Sequence, residues 1–263
     1  MLKLSELQQL KKWFSEYTKK FITGDNDFDI NFYLKIAHTK RVCKEIVEIA
    51  KSINLAEEDL LLAELIGLFH DIGRFEQYAQ FHTFSDRISK NHAVLGLEVL
   101  TETKVLDQLD IALKSIVYKA IENHNKISIS EEITGVYLQF SKLIRDADKL
   151  DIYKVVTDYY GNQNAKSNQT LVLGLPDLPE ISTLIYEDIM NRRVVRMENM
   201  VTLNDFKIVQ IGWVFDIYFL KTYQLINERK YLEMIIKTLP ESDKTENIKA
   251  EVLSYLKQKI KNI

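Results

Sequence analysis

Very little in this chain interrupts a helix. Its 263 residues include only eight glycines and three prolines, and almost no run alternates apolar with polar as a half-buried strand would. Apolar residues recur instead at steps of three and four, the spacing of a helix that faces a core. The chain is therefore predicted to be all-α. Helices are expected over 5–22, about 29–53 with Asp27 or Asp29 as N-cap, about 56–71 closed by Gly73, a short helix and loop over 74–90, then about 91–102, 106–124 and 131–160. A polar stretch from Gly161 to Thr170 leads into Gly174-Leu175-Pro176-Asp177-Leu178-Pro179 and is a linker or lid candidate. Three further helices are expected over about 179–198, 203–237 and 243–262, packing around the core or shaping a pocket. Residues 1–263 read as a single all-α domain, with a helical core at about 30–160 and a C-terminal helical extension at about 179–263.

Composition narrows the class without naming a function. A hydrophobic content of 46% with 28% charged residues describes an ordinary globular protein. A net charge of -3 gives no case for nucleic acid or an acidic membrane as partner. The lone cysteine, Cys43, excludes an internal disulfide, fits a reducing cytoplasm and reads as a small core residue. The start, Met1-Leu2-Lys3-Leu4, lacks the apolar run of a signal peptide. The most apolar late stretch, Ile208 to Ile226, is broken by Gln210, Asp216, Lys221 and Gln224, and is expected to be a core helix instead of a membrane span. A cytoplasmic protein is the expectation.

The histidines carry the chemical signal. Four of the five fall on apolar helix stripes: His38 among Leu34, Val42, Ile46 and Ile49; His70 after Leu62 and Ile66; His92 with Leu95 and Val99; His124 after Val117 and Ala120. Asp148 falls in line with Phe140, Ile144, Ile152 and Val155, and Asp71 follows His70 directly. A bare carboxylate buried on such a face costs several kcal/mol unless paired or bound to metal. Inward imidazoles and carboxylates on several helices share one economical partner, a transition-metal ion.

The order His38, His70-Asp71, His92, His124, Asp148 resembles the HD superfamily of metal-dependent phosphohydrolases. The stretch His70-Asp71-Ile72-Gly73-Arg74-Phe75-Glu76-Gln77-Tyr78, followed by Thr83-Phe84-Ser85-Asp86 and Asn91-His92-Ala93-Val94-Leu95-Gly96, is similar to a stand-alone bacterial subgroup. The resemblance implies a helical HD-type core over about 30–160. It implies that His38, His70, Asp71 and Asp148 ligate a first divalent metal, with Asp71 bridging to a second held by His92 and His124. Iron, manganese, cobalt, nickel and zinc all suit such ligands. The reaction implied is hydrolysis of a phosphomonoester or phosphoanhydride, of a nucleotide above all, by metal-activated water. Two alternatives share the ligand set: an HD-fold di-iron oxygenase acting on a small polyol or phosphonate, and a non-catalytic nucleotide sensor. No Glu-Asp pair directly follows His70-Asp71, His124 is followed by Asn125, and no Gly-Tyr-Pro occurs, which argues against guanosine polyphosphates and cyclic dinucleotides.

The remaining candidates stay double-valued. Arg74 reaches either a substrate phosphate or an ion pair with Glu76 or Asp86. Arg145 and Lys149 flank Asp148, and Lys149 either points inward to phosphate or is a solvated charge. Asp71, Arg74 and Lys149 form the candidate catalytic set. Asp146 could orient a ligand histidine, while Asp151 reads as a surface or helix-pairing charge. His82 lies off any stripe and reads as a loop residue, with substrate contact or proton transfer as the alternative. The run Trp213 to Phe219 reads as core, with base stacking as the alternative.

Overall fold

A computed structural model describes residues 2–161 and 172–261. Among them every regular element is helical, and no helix is long and apolar enough to cross a membrane. The polar linker or lid candidate falls almost wholly on residues 162–171, outside the described residues. The chain divides into two compact units, Met1–Asp148 and Lys149–Ile263.

The first unit contains α1 (Leu4–Lys19), α2 (Asn26–Ser52), α3 (Glu57–Phe69), α4 (Gly73–Phe81), α5 (His92–Thr103), α6 (Ile111–His124) and the first half of α7 (Gly135–Gly161). α3 is its axis. From Leu60 to Phe69 only Leu61 and Glu64 escape full burial, so the helix is apolar nearly all round, and it is packed by α1, α2 and α6. At Gly67 an added Cβ would lie 3.2 Å from the Cα of Cys43 in α2, so these two helices lie unusually close.

Local capping explains most boundaries. Asp25, two residues before the nearer of the expected caps Asp27 and Asp29, caps α2 by accepting from the amides of Asp27 and Phe28. Asp29 is instead buried and accepts from the Thr23 and Gly24 amides at 2.9 and 2.8 Å, fastening the α1–α2 turn. α6 begins at Ile111, capped by Asp110, because the segment before it turns at Lys104 (φ 55°) and buries Leu106 and Leu109.

Gly73 has a different role from the expected helix stop. It opens α4, and a Cβ there would fall 2.1 Å from the His92 carbonyl oxygen and 2.3 Å from the Gly96 amide nitrogen. Both are backbone atoms of α5 that no rotamer change can move. Phe75 then keys α4 to its neighbours, edge-on to Phe14 at 5.9 Å and stacked on Phe32 at 6.1 Å.

The second unit holds the rest of α7, then α8 (Thr183–Met190), α9 (Leu203–Gly212), α10 (Leu220–Glu228), α11 (Tyr231–Ile236) and α12 (Asp243–Lys261). α9 is buried along its whole length, and Tyr153 donates to the Gln210 carbonyl at 2.9 Å. The single helix expected over 203–237 is broken into pieces, and the expected core helix at 208–226 with it. After Gly212 the aromatic and β-branched run Trp213 to Phe219, poor in helix formers, tightens to a 3-10 turn and then extends at Ile217 and Phe219. The Ile217 carbonyl leaves the helical ladder to accept from the Tyr223 hydroxyl at 2.8 Å. Val214 and Ile217 are buried, as the core reading of this run requires.

Two outcomes are expected. Gly73→Ala should destabilise by at least the ~1–3 kcal/mol typical of overpacking, read as a lowered Tm. Gly96→Ala, whose Cβ would meet nothing closer than 3.4 Å, should be far milder, and equal effects would refute the close-approach account. Burial, aided by the charge of Glu64, pushes the Cys43 thiol up to about 12. Thiol is therefore favoured over thiolate in the fold, and native protein at pH 8 should react with a thiol reagent only as fast as it unfolds.

Candidate metal centre

Six side chains meet in the first unit, and four of them sit at helix ends. His38 projects from the middle of α2. His70 is the C-cap of α3, and Asp71 lies in the turn that follows. His92 is the first residue of α5 and His124 the last of α6. Asp148 comes from α7. All four histidines and Asp71 are at most 5% exposed.

The two oxygens of Asp71 face different ways. Its Oδ2 lies 3.4 Å from His38 Nε2 and 3.7 Å from His70 Nε2. Its Oδ1 lies 3.4 Å from His92 Nε2 and 3.8 Å from His124 Nε2. Within each set the imidazole nitrogens approach closely, 3.2 Å between His38 and His70 and 2.9 Å between His92 and His124. Asp148 Oδ1 joins the first set, 3.1 Å from His38 Nε2 and 3.6 Å from His70 Nε2. The groups His38, His70, Asp71 and Asp71, His92, His124 are each compact enough to hold an ion.

Hydrogen bonding assigns the protons. The Nδ1 of His70 donates to the Gly67 carbonyl at 2.9 Å, and that of His124 to the Ile121 carbonyl at 2.7 Å. The Nδ1 of His92 donates to both oxygens of Asp86, at 2.8 and 3.0 Å. Burial, with the nearby Arg74 charge, pushes His92 down to about 3, so the ring is neutral. In a neutral imidazole whose Nδ1 carries the proton, Nε2 is a bare lone pair. His92 thus aims a bare lone pair at His124 Nε2, and Asp148 Oδ1 is buried facing the Nε2 atoms of His38 and His70. Imidazole nitrogens and carboxylate oxygens gathered in two compact groups that share Asp71 are the donor set of a cation, so the residues fit a divalent metal.

Cationic side chains hold Asp71 from both sides. Lys35 Nζ lies 2.7 Å from Oδ2 and Arg74 Nε 3.4 Å from Oδ1, and both cations rest near the Phe84 ring, at 5.2 and 5.8 Å. Burial works to raise the Asp71 carboxyl, but Lys35, His70 and Arg74 outweigh it and hold it well below the usual range. Asp148 is likewise held low, its burial outweighed by His38 and His70. Lys35 was missed in the sequence, although it lies one turn before His38 on the same helix face.

The other candidates separate. Arg74 adopts the ion-pair alternative with Asp86 (3.4 Å) while also reaching Asp71, Gln77 and the Phe84 carbonyl; Glu76 instead accepts from Tyr17. Lys149 is held by the Asp216 side chain and carbonyl in the second unit. Arg145, buried at 3% exposure, donates to the carbonyls of Asn123 (3.0 Å), His124, Lys126 and Ile127, closing the end of α6. Asp146 is fully buried, and Asp151, expected at the surface or pairing helices, is buried too. His82 is exposed, in a left-handed cap after α4, with its ring 5.4 Å from Phe28.

Residues 36–153, which contain all six converging side chains, match the HD domain family. No curated protein and no solved structure matches the chain.

Arg145→Lys should lower stability by roughly 2 kcal/mol or more, because hydrogen bonds from a charged donor each contribute about 1.5–3 kcal/mol and an ammonium cannot span four carbonyls. Denaturant unfolding measures this, and an unchanged midpoint would refute the capping role.

Proposed function

Starting from the HD domain at residues 36–153, which places that segment in the HD superfamily, we propose that the chain is a phosphohydrolase that cleaves a phosphomonoester or phosphoanhydride, with a nucleotide as the substrate class. The observation that carries this reading is the convergence of four buried histidine Nε2 atoms and the Asp148 carboxylate around Asp71. His38, His70, Asp71 and Asp148 would hold one divalent ion, and Asp71, His92 and His124 a second. The bound ions, from the set iron, manganese, cobalt, nickel and zinc, supply Lewis acidity and a lowered pKa for a nearby water.

The chain's own residues account for the rest. Asp71 offers one oxygen to each set, which fixes their spacing. Lys35 and Arg74 sit beside it and offset its charge, leaving cations next to the place where a phosphoryl group, whose transfer depends mostly on positioning and neutralisation, would lie. Arg74, already braced by Gln77 and Phe84, meets an anion with little ordering left to lose. The motif from His70 to Gly96 supports the stand-alone bacterial subgroup, and the single buried thiol supports a cytoplasmic setting.

Elemental analysis of purified protein, with a phosphate-release screen over nucleotides in manganese, iron and cobalt, tests the reading. Metal near two per chain with phosphate release is expected. Asp71→Ala should abolish release and lose most metal while keeping the far-UV circular dichroism of a helical fold. Full activity in that variant would sink the assignment. Iron without phosphate release, together with oxygen consumption, would transfer it to a di-iron oxygenase.

A further inference from the structure

The three histidines with assigned protons are not supported alike. His70 and His124 stand at the C-terminal ends of their helices, where the carbonyl three residues back is within reach of Nδ1. His92 opens α5 and has no helical turn behind it to supply such a carbonyl. The chain provides Asp86 instead, six residues earlier. Asp86 accepts from His92 Nδ1 through both oxygens and from the His92 backbone amide at 3.1 Å. Gln77 (2.8 Å), Asn125 (3.3 Å) and Arg74 (3.4 Å) complete its surroundings.

An imidazole backed by a carboxylate is a more basic donor than one backed by a carbonyl. We propose that Asp86 is the positioning residue that gives the Asp71, His92, His124 set its hold on a metal ion, while the His38, His70, Asp71, Asp148 set stands without it. The inference rests on the two-set reading above. Because Arg74 contacts Asp86 and Asp71 together, the residue that steadies the second set also holds the cation nearest it.

The test is a Co2+ titration of chelator-stripped protein, followed by visible absorption and calorimetry. Wild type should take up two ions. Asp86→Asn, which keeps the shape and removes the charge, should bind one ion as wild type does and the other about 10–100-fold more weakly, with Asp86→Glu recovering part of the loss. Asp148→Asn should weaken the other ion instead. If Asp86→Asn binds both ions with wild-type affinity, or loses both equally, the role of Asp86 is overturned. A wild type that binds a single ion would overturn the two-set reading and this proposal together.

Discussion

Buried imidazoles and carboxylates that face one another are the constraint on which the first unit depends. Bringing His92 and His124 to 2.9 Å, Nε2 to Nε2, and burying them beside two carboxylates is unfavourable by itself. An unpaired buried ion costs several kcal/mol, against about 1 kcal/mol for an ordinary hydrogen bond. Lys35 and Arg74 offset part of this by neutralising Asp71, but neither reaches between the imidazoles. The surrounding helices must therefore be held together by something other than the site. The nearly all-round apolar α3, packed by α1, α2 and α6, supplies it, along with the aromatic contacts of Phe14, Phe32 and Phe75. Burial stabilises the frame, and the frame imposes the cluster.

How much of this could be read from the sequence depended on periodicity. A histidine that takes an aliphatic position in a stripe announces that it points inward, and His38, His70, His92, His124 and Asp148 could each be picked out that way. The all-α class followed from the same pattern. What periodicity cannot report is the partner of a residue in a turn. Asp86 lies between α4 and α5 and faces His92 only because the chain doubles back there. Gln77 is wholly buried to serve Asp86 and Ser89, yet it looks like any polar helix residue. The late helices depart from the periodic pattern for a related reason. An apolar run from 203 to 237 has helical spacing, but weak helix formers at Trp213 to Phe219 let tertiary contacts divide it.

Gly73 shows how one residue can be noticed for the wrong reason. A glycine just past an apolar helix suggests a stop signal, and the helix does stop nearby. The structure uses the missing Cβ elsewhere, to let the start of α4 touch the backbone of α5 at His92 and Gly96. Sequence records the absence of a side chain but not which neighbour exploits it.

The placement of the six side chains divides the site into a stiff part and a conditional one. His38 and Asp148 come from helix interiors, where both neighbouring turns fix the backbone. Asp71, His92 and His124 come from termini, the places where helices fray. The chain compensates at each. Gly73 draws α4 against the start of α5, and Asn91 caps α5 through the amides of Ala93 and Val94. Asn125 bonds Asn91 at 3.1 Å, which ties the end of α6 to the start of α5, and Arg145 closes the α6 carbonyls. Such fastening is needed only where the backbone alone would not hold a ligand in place. Its concentration around His92 and His124 identifies that half of the site as the one whose geometry is made by side chains, and so as the half most open to being tuned by them.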